Sequence, residues 1–137
     1  MTIHTTNYTD TFIAIADDSP TTQGEVPPTK GETRSVANIQ YEIISKHPYK
    51  YTSDDVLFQV YAERNDRTKS EFAKAREQFF SKGQPCFRAS PLTKRYGWGV
   101  HADKDGKIAL VGSETNAYKK FLNDKSLKVV KAMKSKR

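Results

Sequence analysis

Apolar residues along the chain follow first an alternating and then a helical spacing. Residues 8–16 (YTDTFIAIA) alternate between Asn7 and the breaker run Asp17-Asp18-Ser19-Pro20. That pattern predicts a β-strand, with Phe12 and Ala14 on one row and Ile13 and Ile15 on the other. Residues 19–33 hold Pro20, Gly24, Pro27, Pro28 and Gly31 and almost no apolar side chain, which predicts a mobile loop.

From Ser35 the spacing changes. Val36, Ile39 and Ile43, joined by Ala37, Tyr41 and Ile44, recur at helical intervals until Pro48 stops them. Thr52-Ser53-Asp54-Asp55 sets a hydroxyl three residues before a carboxylate, so that each side chain can cap the other's backbone ahead of the run 56–61. A helix is expected there, although the β-branched and aromatic content would also suit a strand. Thr68-Lys69-Ser70-Glu71 repeats the arrangement before Phe72, Ala75 and Phe79, and Lys82-Gly83 offers a left-handed cap at the far end.

Beyond Pro85 the texture turns to β. Residues 86–90 and 96–102 are expected as strands interrupted at 91–95, with Tyr96, Trp98 and Val100 sharing a face. Asp105-Gly106 marks a hairpin turn, so 108–112 returns beside 96–102. Ser113 can cap a helix reaching Asn123, with Ala117, Tyr118, Phe121 and Leu122 toward the core. Leu127, Val130 and Met133 then step by three between lysines, as in a short basic amphipathic helix. Together these elements predict an α+β domain, a small antiparallel sheet with a hairpin in the C-terminal half and about four covering helices.

A chain of 137 residues accommodates one domain. With 36% hydrophobic and 11% aromatic residues it has material for a core, which excludes disorder throughout. No apolar run reaches the roughly 18–20 residues of a membrane helix, and no basic-then-apolar leader opens the sequence, so a cytosolic protein without membrane contact is expected. The lone Cys86 has no partner for an intramolecular disulfide or a Cys-x-x-Cys site, and no cofactor is implied.

Charge changes the picture more. Residues 119–137 carry eight cations (Lys119, Lys120, Lys125, Lys128, Lys131, Lys134, Lys136 and Arg137) against Asp124, while residues 1–118 hold fifteen of each sign. The net +7 therefore belongs to the C-terminal end. The expected organisation is a domain over 1–124, with its loop at 19–33, and a basic tail or short helix over 125–137. Such a segment reads either as a solvated solubility feature or as the contact for an anionic partner, nucleic acid foremost, through Lys128, Lys131, Lys134, Lys136 and Arg137.

Thr5-Thr6-Asn7-Tyr8, residues 49–65 (YKYTSDDVLFQVYAERN), residues 79–101 (FFSKGQPCFRASPLTKRYGWGVH) and the ending KAMKSKR give the chain its most distinctive text. Over nearly its whole length it resembles a family of small, mostly bacterial, single-domain proteins classed as a domain of unknown function. The resemblance implies a stand-alone cytosolic protein and brings no activity, ligand or catalytic residue with it.

Candidate chemistry gathers at residues 88–101. Arg88, Lys94, Arg95, Tyr96, Trp98 and His101 lie around Gly97 and Gly99. Guanidinium forks clamp phosphates or carboxylates, flat rings stack on planar ligands, and glycines let a ligand approach the backbone. Arg88, Lys94, Arg95, Tyr96 and Trp98 are thus candidate contacts for an anionic, planar ligand. Strand alternation gives the competing reading, with Tyr96 and Trp98 in the core and Arg95 and His101 on the opposite face.

A second function class is a small enzyme. His101 and Asp103, two apart, could share a face, with the carboxylate orienting the imidazole and Cys86 as nucleophile. A third class is an oligomeric assembly protein, with Tyr49, Tyr51 and Tyr61 exposed at an interface. No His-Glu-x-x-His, Walker-type loop or Gly-x-Ser-x-Gly occurs. Asp103-x-Asp105-Gly106 imitates the start of a calcium loop, but the ninth position from Asp103 is Val111 in an apolar run, so it reads as a turn. With Met1 removed, Thr2-Ile3-His4 would offer Cu(II) or Ni(II) a square-planar set, as any chain with His third does, and no metal site is expected from it.

Overall fold

The computed structural model describes residues 4–29 and 31–135. Strands β1 (Thr11–Ala14), β2 (Trp98–Ala102), β3 (Ile108–Gly112) and β4 (Lys128–Lys131) form one sheet in the order β3-β2-β1-β4. β2 runs antiparallel to both β1 and β3, whereas β4 lies parallel to β1. Helices α1 (Val36–Lys46), α2 (Ser53–Arg64), α3 (Phe72–Phe80), α4 (Pro91–Lys94) and α5 (Asn116–Leu122) complete a single α+β domain.

The pairing register sets Ile13, Val100, Leu110 and Val130 in one cross-strand row, and Phe12, His101, Ala109 and Val129 in a row on the opposite face. On the first face Ile13, Val100, Ala102 and Ile108 meet Ile44, Val56, Phe87 and Leu92. On the second, Phe12 packs between Tyr118 and Phe121 of α5, with ring centroids 5.1 and 5.3 Å away. A Cβ on Gly99 would lie 2.6 Å from the Phe12 ring, so the bare backbone of β2 makes room for it. Phe58, Ala62, Ala75 and Phe80 form a third cluster between α2 and α3.

α2 packs against both α1 and α3 and buries Val56, Phe58, Val60 and Ala62. That enclosure explains an apolar pattern as compatible with a strand as with a helix. Reciprocal caps settle the matter at its start: Thr52 Oγ1 accepts from Asp55 N–H while Asp55 Oδ2 accepts from Thr52 N–H. Ser35 and Asn38 do the same for α1.

Several elements depart from the sequence expectation. The first strand shrinks to Thr11–Ala14, because Asp10 turns to φ 47° before it, and Ile15 after it joins the Phe12 side rather than the Ile13 side. Residues 86–90 are not a strand. Pro85 and Pro91 bracket too short a piece, which winds into a 3-10 turn at Phe87–Ala89, and Pro91 then starts α4 under a Ser90 cap. α3 ends at Phe80 with Ser81 as its cap, and Gly83 does not adopt the left-handed conformation. α5 is capped by Thr115, since Ser113 N–H still extends the hairpin by donating to Gly97 C=O. Consequently Ala117 and Leu122 face solvent.

The largest correction is at the C-terminal end. The helix expected over Leu127, Val130 and Met133 is instead β4. Paired with β2 alone, β1 would leave the groups on its other edge unbonded. Lys128 N–H donates to Asp10 C=O and Ala132 N–H to Ala14 C=O, which fills that edge and makes the sheet mixed rather than antiparallel. The folded domain therefore runs past residue 124 to include β4. Tyr49 N–H and Tyr51 C=O pair with Ile108, which occupies the outer edge of β3.

Candidate functional site

Most of the candidate ligand contacts hold the protein's own chain. Arg88 Nε donates to Lys131 C=O at 2.7 Å, and Arg88 C=O accepts from Met133 N–H, so the residue clasps the end of β4. Tyr96 and Trp98 pack against the larger core, Trp98 beside Tyr41 at 5.6 Å. Trp98 Nε1 donates to Glu25 C=O and Glu25 N–H donates to Tyr96 C=O. Further along, Asn38 Nδ2 donates to Pro27 C=O. These bonds strap residues 23–27 over the indole, in place of the free loop expected at 19–33.

Gly97 has φ +76°, and a Cβ there would sit 2.0 Å from Gln23 C=O. The close backbone approach that its sequence context suggested is made by this strap. Lys94 is half-buried and Arg95 exposed at the end of α4, next to the Thr93 C=O that accepts from Ala16 N–H.

The catalytic candidates separate. His101 projects to the α5 side, stacked on Phe121 at 4.3 Å and 18°, with Tyr49 Oη 2.8 Å from Nδ1. Burial holds its pKa below the ordinary histidine value, against the opposing pull of Asp103, Asp10 and Asp124. Asp103 turns its carboxylate to the hairpin, where Oδ1 accepts from Asp105 and Lys107 N–H, and Gly106 takes φ +79°. The calcium-like text is thus a turn.

Cys86 lies in the layer on the other side of the sheet, where Sγ is 3.5 Å from Tyr8 Oη. That hydrogen bond and burial raise the Tyr8 pKa. His101, Asp103 and Cys86 form no catalytic constellation. Tyr51 and Tyr61 are half-buried against the core clusters, and Tyr49, though exposed, is engaged with His101.

A feature that sequence reading missed is the buried carboxylate of Asp54. Its oxygens accept from Thr5 Oγ1, Thr6 N–H and Thr6 Oγ1, while Asn7 Oδ1 accepts from Asp54 N–H. Thr5-Thr6-Asn7 therefore clasps the N-terminus of α2, where a carboxylate is also favoured by the helix dipole. The doubled Asp54-Asp55 is the signal that marks it, since the cap of α2 uses only Asp55 and leaves the other acid to be explained.

The basic segment is a folded unit. Lys119 and Lys120 lie on α5, Lys125 in the turn after it, Lys128 and Lys131 on β4, and Lys134 beyond it, all exposed. Lys131 pairs with Asp17 at 2.9 Å; among the described residues no ion pair engages the other five. Helical spacing would have aligned Lys128 and Lys131 on one side, but strand alternation turns them to opposite faces. Lys136 and Arg137 lie outside the described residues, as do Thr2 and Ile3 of the copper-like triplet.

Two clefts flank α2. One of about 680 Å³ lies among α1, α2 and α3, floored by Ile43, Phe58 and Phe72. The other, about 490 Å³, lies between α2 and the 84–91 segment and includes Cys86 and Tyr61. Neither is lined by Arg88, Lys94, Arg95 or His101. Among the described residues no acidic, His or Cys cluster suits a metal, and no helix is long and apolar enough to cross a membrane.

No curated protein and no solved structure matches the chain. A family of unknown function, DUF6157, matches residues 3–137, nearly the whole sequence whose clasps and caps have just been described. The chain belongs to that family.

Proposed function

We propose that the protein is a non-catalytic binding domain for a polyanion, with the phosphate backbone of a nucleic acid as its partner and the α5–β4 unit as its contact surface. The observation that carries this reading is the charge on that unit. Five exposed lysines without ion-pair partners among the described residues stand on one short stretch of folded chain, while residues 1–118 balance to zero. Lysines of this kind bring ammonium groups to phosphates without ordering cost elsewhere, and release condensed counterions on binding. Phe121, the one aromatic ring on α5 and β4 apart from the buried Tyr118, is stacked on His101 and not offered to bases. The recognition is therefore of backbone charge rather than of base sequence.

The experiment is a salt series of binding to short fluorescent DNA and RNA. With about five phosphates neutralised, log K falls against log salt with a slope of roughly −3.5 on single strands to −4.5 on duplex DNA. Because β4 belongs to the sheet, the lysines are tested by substitution rather than by deletion. K119Q, K120Q, K125Q, K128Q and K134Q together should reduce the slope to near that of the background. Absence of binding at low salt, or a slope unchanged by the five substitutions, overturns the proposal.

A further inference from the structure

The smaller cleft, of about 490 Å³, holds a hydrogen-bond donor that the fold leaves unused. Gln40 on α1 is 2% exposed, and its Oε1 accepts from Ser90 Oγ at 2.6 Å. Ser90 Oγ itself accepts from Leu92 N–H, so its one proton goes to Gln40 and sets the amide with Nε2 turned away. Among the described residues Nε2 has no acceptor; it is not sealed in the core, and its side chain lines the cleft. The other side-chain amides of the wall are engaged, Gln84 Nε2 with Phe79 C=O and Asn65 Nδ2 with Tyr61 C=O. Buried polar groups are normally paired, so a buried donor held open toward a cleft is a binding feature where the rest of the cleft suits a ligand.

The charge of the cleft comes from one residue. Among the described residues Arg64 is the one charged side chain that lines it, and Arg64 enters no ion pair or hydrogen bond. The larger cleft differs, since Arg34, Lys46 and Arg76 are each paired with an acid of its own wall. Residues 47–52 alone join α1 to α2, and Arg34, just before α1, reaches Glu63 in the last turn of α2, so the two helices run antiparallel. Arg64 therefore stands beside the start of α1, where Val36 and Gln40 line the same cleft. Helical side chains lean toward the N-terminus of their own helix, which inclines Gln40 and Arg64 toward each other. Leu57, Val60, Phe79 and Pro85 make the surrounding wall apolar.

We infer that this cleft binds a small monocarboxylic acid with an apolar body, its carboxylate held between the Arg64 guanidinium and the Gln40 amide. One unpaired cation matches one negative charge, whereas the second charge of a phosphate monoester would find no partner. A carboxylate takes the guanidinium fork and still has a lone pair for the amide N–H. An amine would meet no acid on this wall, and a wholly apolar molecule would leave both donors unused. The volume is within the range that encloses small ligands. None of the lining residues belongs to the α5–β4 unit, so this site stands or falls independently of the polyanion surface.

The probe is γ-phenylbutyrate, with γ-phenylbutyramide as its uncharged counterpart, each titrated into the full chain and followed by amide chemical shifts. Saturable shifts are expected in residues 36–40, 57–65 and 84–91, and the side-chain amide signal of Gln40 should move with them. The amide should bind about tenfold more weakly than the acid, the loss of one charge-assisted contact. R64Q, at an exposed position whose side chain engages no described residue, should keep the folded spectrum and bring the acid down to the affinity of the amide. No saturable shifts, equal affinity for acid and amide, a Gln40 side-chain signal unmoved at saturation, or a preference for the acid that survives R64Q overturns the inference.

Discussion

Tyr49 Oη lies 2.8 Å from His101 Nδ1 and so ties the loop between α1 and α2 to the sheet face that α5 covers. With the imidazole neutral and its proton on Nε2, Tyr49 donates and the ring stacks flat on Phe121. Burial and the nearby Asp103 raise the Tyr49 pKa, which keeps that donor protonated. The arrangement thus favours neutral His101.

Its consequence is a pH dependence of stability. The folded state lowers the His101 pKa below its ordinary value of about 6.5, so below that pH the unfolded chain binds more protons. The stabilising preference for neutral histidine is complete above about pH 6.5 and is lost as pH falls toward the lowered folded value. Urea unfolding of the protein and of H101Q between pH 7.5 and 5 separates this residue from His4 and His47, which both proteins share. The parent should lose stability on acidification more steeply than H101Q; parallel curves would show that His101 titrates alike in both states.

The strap over Trp98 gives a spectroscopic prediction, because Trp98 is the only tryptophan. G97A places a Cβ against Gln23 C=O and forces a side chain into positive φ, so residues 23–27 must lift. Strain of this kind costs about 1–3 kcal/mol. Trp98 emission should shift to the red and residues 19–33 should become sensitive to protease. G83A, where the added Cβ would meet nothing within 4 Å, should change neither. Unaltered emission in G97A would mean the strap does not shield the indole.

The Asp54 clasp should be costly to break. Asp54 is 9% exposed and receives three hydrogen bonds from Thr5 and Thr6. D54A strands those donors and removes an acid from the α2 N-terminus, with an expected loss of about 2–4 kcal/mol. T5V removes one donor and should cost about 1 kcal/mol. Thermal unfolding checks the ranking, and equal midpoints for the two variants would contradict it.

Legibility in the sequence followed the range of the interactions. α1 and α2 could be read because Ser35 and Thr52 cap within three residues of themselves, α3 because Thr68 N–H and Oγ1 donate to Glu71 and open the 3-10 turn Lys69–Glu71 that leads into it, and the β2–β3 hairpin because Asp103 and Gly106 form its turn locally. The basic segment was likewise visible as a count of charges. The roles of Arg88 and Trp98 were not, since their partners Lys131 and Glu25 are 43 and 73 residues away. The cleft of α1, α2 and α3 escaped for the same reason: its walls come together only once three helices are set side by side.

The fate of β4 argues the point as an experiment. Leu127, Val130 and Met133 fit a helix locally, but the unfilled edge of β1, a demand from residues over a hundred positions earlier, makes a strand of the segment. A chain ending at Asn123 should therefore lose cooperative unfolding, having lost the Lys128 and Ala132 bonds to β1 and the cover of Val130 over the core. R88A frees Lys131 C=O at the outer edge and should cost about 1.5 kcal/mol, the low end for a charged donor at a partly exposed site. K128Q and K134Q, whose ammonium groups engage no ion pair among the described residues, should stay within about 0.5 kcal/mol of the parent. Denaturation of the four proteins tests whether the C-terminal segment is part of the fold. A truncated chain that unfolds as cooperatively as the parent would return residues 125–137 to the status of a tail, and the lysines with them to a freely moving charge.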